Sequence, residues 1–203
     1  EVLLLNGHAI NAIVTADNAV RLWAAENAIS TLPPHVDANE LYDRPFDYLF
    51  SIVNEHILGD DLLSLPRELA INYHDGPLPR YAGTHATSWA LMNGESEHAI
   101  TWHIISNLVD AGDILKQESV KIEKSDTAFT LNTKCFEAAI VSFQKLVQDL
   151  AAKRTIHQKQ NLEDRTFYPR FKRPENGGVI IWDSPAEEIS SLIRALDFGG
   201  HPN

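Results

Sequence analysis

Apolar residues along the chain recur with two periods, and the two alternate. Short runs rich in β-branched and aromatic residues predict strands over residues 9–15, 46–53, 69–74, 99–105 and 114–122. Between them the spacing is helical. Val20, Trp23, Ala24 and Ala28 predict a helix over 18–28, and a second covers 87–92 before Asn93-Gly94 stops it. A long helix is predicted over 127–152, with Phe129, Leu131, Phe136, Ala139, Ile140, Phe143, Leu146, Val147 and Leu150 as its apolar stripe. Residues 1–5 read as the end of an earlier helix. Strands separated by helical segments predict parallel pairing in an open α/β sheet.

The pattern changes at Lys153. Pro169, Pro174, Gly177 and Gly178 punctuate a polar stretch that reads as a surface linker over 153–178, and residues 179–203 begin a small C-terminal subdomain with Val179-Ile180-Ile181-Trp182 and a helix-like 185–196. A chain of 203 residues suits one well-buried domain, here 1–152, with a short appendage. Hydrophobic residues at 44% and charged residues at 22% exclude a disordered chain. The net charge of -11 argues against RNA as the main partner, although 165–173 is locally basic. Cys135 is the one cysteine, so an intrachain disulfide and a multi-cysteine metal cage are both excluded, and a cytoplasmic location is expected. No apolar run approaches the roughly 20 residues of a membrane span. The spacing of His74, His85, His98 and His103 fits no common metal pattern, so no metal is expected.

Two segments stand apart from core building. In Asn72-Tyr73-His74, strand alternation puts the amide and the imidazole on one face, at the carboxyl end of a buried strand where open α/β sheets bind ligands. The following Gly76-Pro77-Leu78-Pro79-Arg80-Tyr81-Ala82-Gly83 holds two prolines and two glycines in eight residues, a stiff turning loop. The second segment is Asp110-Ala111-Gly112-Asp113-Ile114-Leu115, a carboxylate at a turn just after a strand. An amide, an imidazole and a carboxylate suit acyl transfer to an amine. Asn72 and His74 would stabilise an oxyanion, and Asp110 would tune His74 and help relay the amine proton. Each also has an ordinary structural reading: a histidine after a strand is more often structural, Asp beside Gly commonly forms a turn, and Asn caps loops.

Asn72-x-His74 with Gly-Pro-Leu-Pro-x-Tyr-x-Gly, then Trp89-Ala90-Leu91-x-Asn93-Gly94-Glu95, then Asp110-x-Gly112-Asp113-Ile114-Leu115 resemble the formyltransferase superfamily. The resemblance covers residues 1–152 and continues in Gly178-Val179-Ile180-Ile181-Trp182 and Ile193-Arg194-Ala195-Leu196, similar to the entry into a C-terminal subdomain. It implies a Rossmann-like, mostly parallel twisted sheet flanked by helices. It also implies 10-formyltetrahydrofolate as formyl donor and Asn72, His74 and Asp110 as the catalytic set. By the same resemblance the folate loops are 51–58 and 106–110, placing Ser51, Ile52, Val53, Asn54, Ile57, Leu58 and Val109 at the donor.

The expected reaction is N-formylation of a small-molecule, sugar or carrier-protein-bound amine, with tRNA less favoured and no membrane partner. The chain could be part of a multidomain protein. Transfer to water or to a thiol such as coenzyme A, and folate binding without catalysis, are the alternatives. This sequence departs from the family's pattern at Ala82, where arginine is usual, and at Asp75. The family's first strand would precede Glu1.

Overall fold

The computed structural model describes residues 1–54 and 56–200, which divide into two compact units, Glu1–Ile71 and Asn72–Asn203. The first unit opens with the short helix α1 (Val2–Leu5) and the strand β1 (Ile13–Val14). Helix α2 (Asn18–Glu26) starts where the Asp17 side chain accepts from the Val20 amide at 2.8 Å, satisfying one of the orphan donors of a helix start. It leads to β2 (Thr31–Leu32), which pairs parallel with β1. Then come β3 (Tyr48–Ser51), α3 (Asp60–Leu63) and β4 (Leu69–His74), with β3 the neighbour of β4. The strands predicted over 9–15 and 46–53 are thus shorter than their apolar runs. Asn11, inside the first run, instead spends its amide on the Pro45 carbonyl at 2.8 Å.

The second unit takes up the end of β4 and continues through β5 (Ala82–Gly83), α4 (Ala86–Met92), β6 (Glu97–Ile104), β7 (Ile114–Lys121), α5 (Ala128–Ala151), β8 (Phe167–Tyr168) and α6 (Ala186–Leu196). Here the sheet runs β4-β6-β7. β6 is buried along almost its whole length. β7 alternates between buried and exposed positions, as an outer strand with one wet face does.

β6 and β7 are antiparallel, with Glu97 opposite Lys121 and His103 opposite Ile114, the antiparallel edge of an otherwise helix-connected sheet. The connection over 105–113 is a loop with no helix, so the chain turns back instead of crossing over. A register shift between Trp102 and His103 breaks the ladder at the end of β6.

Helix α5 is capped at Thr127, whose hydroxyl accepts from the Thr130 amide at 3.3 Å while Thr130 accepts from the Thr127 amide at 2.9 Å. Its buried face is Leu131, Cys135, Ala139, Ser142, Leu146, Val147 and Leu150. The stripe expected from the sequence is therefore partly wrong: Phe129 and Phe136 are 42% exposed and Ile140 is 65% exposed. The reason is size. Trp102 from β6 fills the space and donates its indole N–H to Ser142 at 3.0 Å, so small residues occupy the centre of the contact. No described helix is long and apolar enough to cross a membrane.

Candidate active site

Strand β4 ends at His74, and its alternation sets Asn72 and His74 on one face. His74 is 5% exposed, and its Nε2 lies 2.8 Å from the Tyr81 carbonyl oxygen. A carbonyl only accepts, so Nε2 carries a proton and donates. Nδ1 lies 3.6 Å from Asp110 Oδ2. Asp110 enters from the 105–113 loop with a left-handed backbone, φ +53, and its Oδ2 accepts from the Gly83 amide at 2.8 Å. The first loop thus contributes both a histidine and a backbone donor to one carboxylate.

A fourth group completes the cluster. His103, 2% exposed, faces Asn72 Nδ2 at 3.2 Å and Asp110 Oδ1 at 3.4 Å through Nε2. Its Nδ1 donates to the Ile104 carbonyl at 2.9 Å. In the neutral ring Nε2 accepts from the Asn72 amide; in the imidazolium it donates to Asp110. Sequence reading assigned His103 only to a strand. The available signal was Thr101-x-His103, two polar residues on alternate positions of an otherwise apolar strand.

Burial pushes the Asp110 carboxyl upward. The hydrogen bond from His103, the charge of His74, the Gly83 amide and the charge of His103 outweigh it and bring the group down to about 2. Asp110 is therefore a carboxylate at neutral pH, able to balance an imidazolium and orient it, and poorly suited to deliver a proton.

Two glycines are dictated by close approach. A Cβ on Gly112 would lie 1.9 Å from the Ile104 carbonyl oxygen. On Gly83, with φ +100, it would lie 2.2 Å from the Tyr168 carbonyl oxygen.

The second unit thus brings Asn72, His74 and Asp110 together around His103, with Val109 adjoining Asp110 and 39% exposed. The other residues expected at the donor belong to the first unit. Ser51 is the buried last residue of β3, Ile52 and Val53 are 48% and 66% exposed, and Val53 has φ +51. Asn54 folds its side chain onto His56, donating to its carbonyl at 2.8 Å and accepting from its amide at 3.1 Å. Ile57 is 87% exposed and Leu58 is half-buried. Glu55 lies outside the described residues. Among the described residues no group of three His, Cys, Asp or Glu side chains is arranged to hold a metal ion.

Residues 46–146 match the sequence profile of the formyl transferase family, a span containing Asn72, His74, His103 and Asp110. The fold is shared with a 4-N formyltransferase from Francisella tularensis, at TM-score 0.78 and 20% identity over 95% of this chain and 78% of that one. It is shared with a sugar 3N-formyltransferase determined with dTDP and 5-N-formyl-THF, at TM-score 0.77 and 21% identity over 97% and 73% of the two chains. An N-formyltransferase from Helicobacter canadensis, in complex with folinic acid and dTDP-3-aminofucose, matches at TM-score 0.72 and 21% identity over 94% and 81%. Residues 46–146 thus carry the sequence profile of the formyl transferase family, on a fold shared with solved N-formyltransferases, and hold a buried Asn-His-Asp cluster at the carboxyl end of β4.

Proposed function

We propose that this chain transfers the formyl group of 10-formyltetrahydrofolate to the amine of a small molecule, and that Asn72, His74 and Asp110 carry the reaction. The observation that carries this reading is the buried cluster itself. It sets an amide, an imidazole with one face toward a carboxylate, and a carboxylate held ionised within one site.

The chemistry follows from what each group can do. The amine nitrogen attacks the formyl carbon, a C–N bond forms, and the carbonyl oxygen takes up negative charge. The Asn72 amide is the donor suited to that oxygen. The amine proton goes to His74 Nδ1, since Nε2 is committed to Tyr81, and Asp110 beside it stabilises the imidazolium. Breakdown expels the folate N10, and the same proton returns to that nitrogen, giving tetrahydrofolate and the N-formyl product. Within the first unit, Ile52 and Val53 of the expected donor segment 51–58 are exposed after β3.

For the acceptor, the reading favours an amino sugar linked to a nucleotide. Two structural neighbours were determined with dTDP or a dTDP-amino sugar. Arg165 lies over the Phe167 ring and Lys172 over the Tyr168 ring of β8, each at 4.7 Å, and β8 pairs with β5 of the His74 loop, which suits a phosphate-bearing amine in a chain of net charge -11. A carrier-bound amine is the next class to try. The test is to incubate the protein with 10-formyltetrahydrofolate and a panel of dTDP-amino sugars and carrier-bound aminoacyl groups, following tetrahydrofolate release and acceptor mass. Formylated product is expected with at least one amine; folate turnover that is equally fast without any amine would overturn the reading.

A further inference from the structure

The segment after α5 looks like a linker by composition, yet its hydrogen bonds go to the two loops that carry His74 and Asp110. Gln158 exchanges both backbone hydrogen bonds with Ile114, at 2.8 and 2.9 Å. The Gln160 side-chain amide donates to the Asp110 carbonyl at 3.0 Å and to the Gly112 carbonyl at 2.7 Å. Arg165 donates to the Val109 carbonyl at 3.0 Å. A few residues on, the same segment turns to the other loop. The Tyr81 amide donates to Thr166 Oγ1 at 2.7 Å, the Ala82 amide to the Thr166 carbonyl at 3.0 Å, and the Thr84 amide to the Tyr168 carbonyl at 2.9 Å.

Gln160 is placed by chemistry that admits one orientation. Its two target atoms are carbonyl oxygens, so the NH₂ end must face them, and the Oε1 left behind is buried without a partner among the described residues. The bonds bracket Ala111 and hold the turn in which Asp110 takes a left-handed backbone, a conformation that Asp tolerates better than most side chains. We propose that Gln160 is a positioning residue that sets Asp110 against Gly83 and His74, and that residues 158–168 form a strap fixing one catalytic loop against the other. The kinetic part of this proposal rests on the formyl-transfer reading above; the structural part does not.

The test uses Gln160→Met, which keeps the stem and removes both donors, and Gln160→Lys, which restores a donor. Nuclear magnetic resonance of amide exchange reads the Gly83 N–H, whose acceptor is Asp110 Oδ2, against Ala82 and Thr84, whose acceptors lie on the strap backbone. Q160M is expected to speed Gly83 exchange about tenfold or more while Ala82 and Thr84 hold, and to lower kcat about 10- to 100-fold with KM for both substrates changed less than about twofold. Q160K is expected to recover most of both losses. In an Asp110→Ala background, Q160M should cost nothing further, because Gln160 acts through Asp110.

Unchanged Gly83 exchange, unchanged kcat, or an equal further loss in the Asp110→Ala background overturns the proposal. Should Q160M not fold, Gln160→Asn, one methylene too short to reach both carbonyls, is judged by the same readouts. If the wild-type protein formylates no amine, the proposed function falls while Gly83 exchange still decides whether Gln160 positions Asp110.

Discussion

The loop after β4 and the loop between β6 and β7 both feed the candidate site, yet they are held by different means. The first is anchored in the core: Leu78 and Tyr81 are each 3% exposed and Ala82 is fully buried. Thr101 on β6 donates to the Gly76 carbonyl at 2.7 Å and accepts from the Leu78 amide at 3.3 Å and from Gln117 at 2.9 Å. His98 donates to the Asp75 carbonyl at 2.6 Å, and the Tyr81 hydroxyl to Glu95 at 2.7 Å. The second loop has no such footing. Leu108 is 50% exposed, its internal bonds are local, and its outside bonds come from Gln160, Arg165, Gly83, His103 and the Ile104 amide, which donates to the Asp113 carbonyl at 2.9 Å. One candidate catalytic group is therefore placed by packing and the other by a few long-range hydrogen bonds. Damage to the first should unfold; damage to the second should disable.

The sharpest break in that comparison is chemical. His74→Ala and Asp110→Ala should each lower turnover by about 10² to 10⁴, the scale of a positioned acid-base or electrostatic group, measured in steady state with the responsive acceptor. Near-normal rates in either variant would remove it from the mechanism. Gly83→Ala comes next, because its methyl group would meet the Tyr168 carbonyl at 2.2 Å with a left-handed backbone. A loss of about 3 kcal/mol is expected in denaturant unfolding, along with the contacts between β5 and β8.

Thr101→Val keeps shape but removes a buried hydroxyl that serves three partners, so a loss of about 2 kcal/mol is expected with kcat of the folded fraction unchanged. A fall in kcat without a fall in stability would mean that the first loop is not held as described. The smallest effect is a pH dependence. Burial lowers the pKa of His98 despite the hydrogen bond to Asp75, so its contribution to stability is complete above its ordinary value of 6.5 and fades as pH falls below it. His98→Gln should flatten unfolding free energy across that window; a slope identical to wild type would assign the acid sensitivity elsewhere. Asp110, held low by His103 and His74, should add a further loss only as pH drops from 3.8 toward 2.

Much of the architecture was legible along the chain. β4 falls on the predicted residues, and β6, β7, α4 and α5 fall within one or two positions of expectation at most ends. These elements announce themselves because a strand or helix repeats its burial every two or every 3.6 residues. The same local signal misjudged α5, where it favoured Phe136 and Ile140 over Cys135 and Ser142. Bulk is not what the Trp102 contact requires.

The amino-acid sequence by itself determined which candidate groups stand together and in what order: an amide and an imidazole two residues apart on a strand, a stiff proline loop, and a carboxylate before a tight glycine turn. Those are properties of neighbours in the chain. The tertiary structure alone decided that His103 joins Asn72 to Asp110, that Gly83 holds the carboxylate, and that a polar stretch reading as a linker reaches back through Gln160 and Thr166 to hold both loops. Such bonds join residues far apart in the chain and leave no period in it. They exist only once the sheet has brought their backbones within reach.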